Sequence, residues 1–150
     1  MTQDPAQLDT IAAFLRDEST LSLATVSAQG DPCIAPLFYI VDDRLNLYWL
    51  SSSNSLHSRN LAVHLKASAA VYRQTEDWKE ICGVQMRGRV HTVTAARERN
   101  ELVKAYCQRF GLGRVLGLAI RRSTLYAFHP EWFRYIDNSK HFGYNFEITR

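Results

Sequence analysis

Three apolar segments follow one another early in the chain, with only short polar turns between them. They span residues 20–27, 32–41 and 45–50; AQGDP separates the first two, and Asp42 and Asp43 begin the turn before the third. Runs rich in β-branched and aromatic residues, bounded by Gly, Asp and Pro, are typical of β-strands. Connections this short cannot hold a crossover helix, so the three strands must pair antiparallel as a meander.

The rest of the chain adds strands and two or three helices. Further strands are predicted at residues 67–73, 80–93, 125–128 and 132–136, with His129 and Pro130 dividing the last two, and 142–148 adds a short strand. Within 80–93, Val84, Met86 and Val90 fall on one face by strand alternation, whereas Gln85 and Arg87 fall on the other. The predicted fold is mainly β, a six-stranded antiparallel barrel with two or three helices, in a single domain over residues 1–150.

Helix signals flank this sheet. Asp4 as N-cap and Pro5 at the first helical position predict a helix over Pro5–Asp17. A second helix is predicted over residues 54–65 and a third over 95–110, the third capped by Thr94. The third helix is predicted to end at two glycines, Gly111 and Gly113.

The segment LNLYWLSSSNSLHSRNLAVHLK, residues 45–66, joins an apolar strand to the second helix through four polar residues. The first backbone N–H groups of a helix are unpaired, and the helix dipole favours an anion beside them. Serine hydroxyls add donors, and His57 and Arg59 add hydrogen bonds or positive charge. This segment therefore predicts a phosphate site, although a polar turn with an ordinary N-cap would use the same residue types.

Charge and hydropathy argue against several other partners. The net charge is only +3, and the basic residues are spread between Arg16 and Arg150 rather than clustered as in nucleic-acid-binding proteins. The sequence contains no apolar stretch near 18 residues and begins without a signal-peptide pattern. We therefore expect a cytoplasmic protein that binds neither nucleic acid nor membrane.

Cysteine and histidine spacing gives no sign of a metal site. Cys33, Cys82 and Cys107 are odd in number and widely spaced, which predicts reduced thiols. The five histidines show neither HxH nor HExxH spacing, so no metal is expected. The sequence also lacks a P-loop, a GxSxG motif and a GxGxxG motif, and it identifies no catalytic residue.

Three segments in fixed order identify a family resemblance. They are IAPLFYI at 34–40, LYWLSSSNSLHSRNL at 47–61, and GVQMRGRVHTV at 83–93 followed by a helix. Together they resemble the pyridoxamine 5′-phosphate oxidase-like, FMN-binding split-barrel superfamily, over residues 20–138. QRFGLGRVL and YIDNSKHFG look most like a small bacterial subgroup of it. The resemblance implies a split barrel that forms a homodimer, with FMN bound at the subunit interface.

The resemblance also implies positions for the cofactor. The flavin ring would lie along Pro36, Leu37 and Phe38, and Gln85 would reach the ribityl chain or the ring. Trp132 and Arg134 would approach the flavin of the partner subunit. The phosphate would contact the end of the third strand and the helix that follows, at Ser51, Ser52, Ser55, His57, Ser58, Arg59 and Asn60.

The chain departs from the family pattern at two places. His57 stands where the family most often has Lys. The C-terminal segment HPEWFRYIDNSKHFGYNFEITR lacks the Arg- and Trp-rich signature of the oxidases that act on pyridoxamine phosphate, so we do not expect oxidation of vitamin B6.

Three functions agree with these features. The first is an FMN-dependent oxidoreductase of unknown substrate, in which the cofactor performs the electron transfer. The second is a non-catalytic protein of the same fold that binds flavin, haem or a deazaflavin, with His57, His91, His129 or His141 as potential haem contacts. The third is a dimer without a ligand, in which the serine-rich turn only caps a helix.

Overall fold

One curved antiparallel sheet organises the protein in the computed structural model, which describes residues 4–112 and 116–150. Its strands are β1 Thr20–Val26, β2 Pro32–Phe38, β3 Ile40–Val41, β4 Leu47–Ser51, β5 Lys66–Tyr72, β6 Cys82–Thr92, β7 Thr124–Asp137 and β8 Asn145–Thr149. The strand order is β2-β1-β5-β6-β7-β4-β3, and β8 pairs with β7. The helices are α1 Pro5–Asp17, α2 Leu56–Val63, α3 Ala96–Phe110 and α4 Gly117–Arg122, with a 3₁₀ turn at Trp78–Glu80.

The sheet closes on itself at Tyr39. β2 and β3 lie at opposite ends of the strand order, yet only Tyr39 separates them in the chain, so the sheet must curl until its ends meet. Tyr39 is buried; its N–H donates to the Ser19 carbonyl at 3.0 Å and its hydroxyl to the Leu15 carbonyl at 2.6 Å. The predicted continuous strand over residues 32–41 is therefore wrong at this residue, because the chain leaves β1 there and joins β4.

β7 is a single strand, so the predicted division at His129 and Pro130 is also wrong. Its pairing with β6 shifts between Arg87 and Gly88, where Arg87 pairs with Trp132 and Gly88 with Pro130, so Glu131 is an extra residue on β7. The shift is a β-bulge, one of the few places where a sheet accepts proline, because a ladder hydrogen bond is already missing there. The strand thus continues through a proline that normally interrupts one.

Helix α1 confirms the prediction from its capping residues. The Asp4 side chain accepts a hydrogen bond from the Ala6 N–H at 3.0 Å, and Ile11, Phe14 and Leu15 are buried against the barrel. The N-cap of α3 is Ala95, without a side-chain hydrogen bond, so the prediction of Thr94 is wrong. Gly111 ends α3 in the left-handed conformation, as predicted, whereas Gly113 lies outside the described residues.

The mainly β fold class is confirmed, with more elements than the sequence predicted. The described residues form eight strands rather than six and four α-helices rather than two or three. The predicted alternation in β6 is confirmed: Val84, Met86 and Val90 are buried, and Gln85 and Arg87 are exposed. Within the described ranges, no helix combines the length and hydropathy that a membrane span requires.

A polar network fastens the turn between β3 and β4 to β7. Asp42 accepts hydrogen bonds from the Asn46 amide and the Tyr48 hydroxyl, both at 2.9 Å. The side-chain Oδ1 of Asn46 lies 3.0 Å from Nδ1 of His129, whose ring centroid is 5.5 Å from that of His91. Burial, with a smaller effect of His91, lowers the pKa of His129 below its ordinary value of 6.5.

We expect this network to weaken in acid. Because the folded state depresses the pKa of His129, folding favours the neutral ring, and stability is lost as the pH falls below about 6.5 and through the folded-state pKa. The free energy of unfolding should therefore drop between pH 7 and pH 5, and it should drop less in His129→Gln. Urea titrations at both pH values measure this. His64→Gln, at the exposed C-cap of α2, should keep the native pH dependence.

Candidate functional site

Four side chains meet where β4 runs into α2. Nε2 of His57 lies 2.7 Å from the Ser51 hydroxyl and 3.1 Å from the Ser55 hydroxyl. The Ser55 hydroxyl donates to the Ser58 hydroxyl at 2.8 Å. We call Ser51, Ser55, His57 and Ser58 the serine–histidine cluster; it joins four of the residues expected at the phosphate.

Local sequence explains this arrangement. Ser51 is the last residue of β4, where alternation turns its side chain inward, and it is buried. Ser55 is the N-cap of α2, and its hydroxyl accepts from the Ser58 N–H, as serine does at helix starts. The first turn of α2 has no acidic residue, so its dipole remains available to an anion. Burial lowers the pKa of His57 below 6.5, which favours the neutral ring.

The side chains of the other three residues predicted around the phosphate bond to groups outside the cluster. Ser52 is exposed, and its hydroxyl accepts from the Asn54 N–H at 3.2 Å. The Arg59 guanidinium is exposed and donates to the Asn54 carbonyl at 3.1 Å, so it lies beside the turn that precedes α2. Asn60 is buried and donates to the Thr25 hydroxyl at 3.0 Å, which fastens α2 to β1.

Strand β2, where the flavin ring is expected, is an edge strand of the sheet. Tyr39 N–H donates to the Ser19 carbonyl and Ser27 N–H to the Asp31 carbonyl. In the β1–β2 register, these two bonds fix which residues of β2 turn their backbone polar groups toward β1 and which turn them away. That alternation points the backbone polar groups of Ile34, Pro36 and Phe38 away from β1, toward the split in the barrel. Pro36 has no N–H, so it contributes only its carbonyl.

The side chains of β2 divide between core and solvent. Leu37 packs on the hydrophobic core, whereas the Phe38 side chain is half exposed and lies 4.7 Å from the Phe110 ring of α3, centroid to centroid. The Tyr106 hydroxyl donates to the Phe38 carbonyl at 3.3 Å, and burial raises the pKa of Tyr106 to about 12. Helix α3 therefore covers the end of β2 at Phe38.

Gln85 and Trp132 line a groove on the outer face of the sheet. This outer groove has a volume of about 520 Å³, with Ile34 of β2, Ala24 and Ser68 among its lining residues. The Arg87 guanidinium lies 4.0 Å from the centroid of the Trp132 ring, and the Trp132 indole N–H donates to Glu147 at 3.2 Å. The small residues of β1 and β5 leave space for a ligand or for a second subunit.

Six of the predicted residues thus form two groups within one chain. The serine–histidine cluster lies at the start of α2, and Gln85 and Trp132 lie in the outer groove, which β2 borders through Ile34. In the part of the chain that the structure describes, no hydrogen bond joins the two groups. Sequence reasoning missed Ile34 and Tyr106; for Tyr106 the only signal was its place in the apolar stripe of α3.

Metal chemistry gains no support from the described residues. Across residues 4–112 and 116–150, no three His, Cys, Asp or Glu side chains are grouped to hold a metal ion. Cys33, Cys82 and Cys107 are free thiols.

Sequence comparisons relate the chain to known proteins. The sequence model of the family described as "Pyridoxamine 5'-phosphate oxidase" matches residues 8–137. A UPF0306 protein of Yersinia enterocolitica is 27% identical over 125 residues, which cover 81% of this chain and 82% of that protein.

Solved structures share the fold at low identity. The haem storage protein HutZ of Vibrio cholerae superposes with a TM-score of 0.70 at 23% identity, covering 82% of this chain and 89% of that one. A haem-binding protein of Mycobacterium smegmatis superposes with a TM-score of 0.75 at 19% identity, covering 99% of this chain and 60% of that one. At these identities the likeness establishes the fold.

Proposed function

Because the chain belongs to the pyridoxamine 5′-phosphate oxidase family, we propose that it binds FMN, with the phosphate at the serine–histidine cluster. The observation that carries this proposal is the meeting of Ser51, Ser55 and His57 at the start of a helix without acidic residues in its first turn. Hydroxyls and unpaired helix amides are suitable donors to phosphate oxygens.

The remaining parts of the fold suit the rest of the cofactor. The backbone groups of Ile34, the Pro36 carbonyl and the Phe38 N–H, which point away from β1, offer donors and acceptors to a flavin ring, and Gln85 and Trp132 line the groove beside that strand. Arg134, which pairs with Gln85 in the sheet register, has a buried Nε that makes no hydrogen bond among the described residues and forms an ion pair with Glu147 at 3.8 Å. The residues present therefore fit the cofactor.

We further propose a homodimer with the flavin at its interface. The serine–histidine cluster and the outer groove are separate within one chain, and a second subunit placed on the groove would complete a shared site. Bound flavin would supply hydride or electron transfer. The protein would bind and orient the cofactor, so the proposed activity is that of an oxidoreductase whose substrate is unknown.

Haem binding is the second proposal. It is supported by the fold shared with HutZ and with the haem-binding protein of Mycobacterium smegmatis. The ring centroids of His91 and His129 lie 5.5 Å apart, so these two histidines are the proposed haem contacts. Nδ1 of His129 already lies 3.0 Å from Oδ1 of Asn46, which leaves Nε2 of that ring for a ligand.

The absorbance spectrum of the purified protein tests both proposals. We expect bands near ~375 and ~450 nm from flavin, with FMN identified by the mass of the ligand released on denaturation. A single strong band near ~400 nm would favour haem instead. A protein that carries no chromophore and takes up neither FMN nor haem on titration would contradict both proposals.

A further inference from the structure

The serine–histidine cluster has fewer protons to donate than its four side chains suggest. The single hydroxyl proton of Ser55 is directed to Ser58, so Ser55 cannot also donate to His57. The Ser51 oxygen lies 2.7 Å from Nε2 of His57, and in the tautomer that carries the ring proton on Nδ1 the hydroxyl donates to Nε2. In the free protein these protons therefore point at neighbours within the cluster.

An incoming phosphate dianion would require the opposite arrangement. Its oxygens only accept, so each contact needs a donor. When the His57 ring takes a second proton, Nε2 becomes an N–H donor, and the Ser51 hydroxyl is released to turn toward the ligand. We infer that phosphate binding at this cluster is coupled to the uptake of one proton from solvent by His57; the inference rests on the proposed function.

The surroundings of His57 support a neutral ring before binding. On α2, the Arg59 guanidinium donates to the Asn54 carbonyl. On α3, Arg99 donates to the carbonyl of Ser123, the residue before β7, whose first residue pairs with Ser51. β6 places His91 in a cleft that Ser58 also lines. Across the described ranges, no carboxylate hydrogen-bonds the His57 ring. Burial disfavours the imidazolium until an anion arrives.

Calorimetry with FMN and riboflavin tests the inference. At pH 7.5 the FMN phosphate, with a second pKa of about 6, is already a dianion, so further protons must come to the protein. Titrations in two buffers of different ionisation enthalpy should give an uptake of about 0.5–1 proton per FMN and none for riboflavin. Between pH 7 and pH 8, FMN affinity should fall by up to about tenfold while riboflavin affinity stays constant.

Two lysine variants locate the proton. His57→Lys carries its charge before binding, so it should bind FMN with little proton uptake and a flat pH profile. His64→Lys, at the other end of the same helix, should keep the native uptake. FMN binding to the native protein without proton uptake would overturn the inference and leave the proposed function standing. If neither FMN nor riboflavin binds at any pH, the proposed function fails and the inference fails with it.

Discussion

Replacing Gly88 with alanine should destabilise the protein strongly, because the added methyl group would collide with the backbone of β7. A Cβ atom at this position would overlap the carbonyl oxygen of His129 and lie 2.8 Å from both the His129 carbonyl carbon and the Pro130 Cα. All three are backbone atoms of β7, so no side-chain rotation relieves the overlap. We expect a loss of about 3 kcal/mol or more in the free energy of unfolding, or failure to fold, because overpacking against backbone must shift the strand.

Urea or guanidinium titration of Gly88→Ala measures this loss, and Gly117→Ala is the matched control. Gly117 is the first residue of α4, and a Cβ there would meet no atom within 4 Å. Alanine also favours a helix over glycine by up to about 1 kcal/mol, so this variant should be neutral or slightly stabilised. Equal stabilities for the two variants would show that β6 and β7 do not approach as closely as described.

Replacing Ser51 with alanine should weaken FMN binding by about ten- to a hundredfold. A hydrogen bond to a charged group contributes about 1.5–3 kcal/mol, and the structure places this buried hydroxyl at the centre of the proposed phosphate site. Riboflavin has no phosphate, so its affinity should stay the same. Fluorescence titration with both ligands measures the difference.

Ser53→Ala serves as the control for Ser51→Ala. Ser53 lies in the same polar turn but is exposed and outside the cluster, so FMN affinity should stay close to that of the native protein. Thermal unfolding of both variants shows whether the fold is retained. Unchanged FMN affinity in Ser51→Ala would place the phosphate elsewhere.

Local patterns predicted most of the secondary structure, and their failures have physical causes. Alternation in β6 was sufficient to assign Val84 to the core and Gln85 to the surface, because side chains of a strand alternate whatever its neighbours are. Pro130 predicts a strand break because proline lacks an N–H. The bulge opposite Gly88 cancels that cost, and a bulge is a property of two paired strands rather than of one segment.

The same distinction applies to the candidate site. The polar residues after β4 predicted a phosphate site, and the structure joins Ser51, Ser55, His57 and Ser58 there. The family resemblance implies a phosphate contact for Asn60, but its helix face turns it toward Thr25. Which helix face meets β1 depends on how α2 packs on the barrel, and the sequence contains no direct sign of that.

The sequence by itself determined most of the strands, the capped start of α1 and the family, because these depend on side-chain period, capping chemistry and motif order. Only the tertiary structure decided that Tyr39 closes the barrel, that β7 passes through Pro130, and that His57 shares its Nε2 with Ser51 and Ser55. Each of these depends on atoms far apart in sequence or on a choice of partner within hydrogen-bonding distance. Local patterns do not encode such distances.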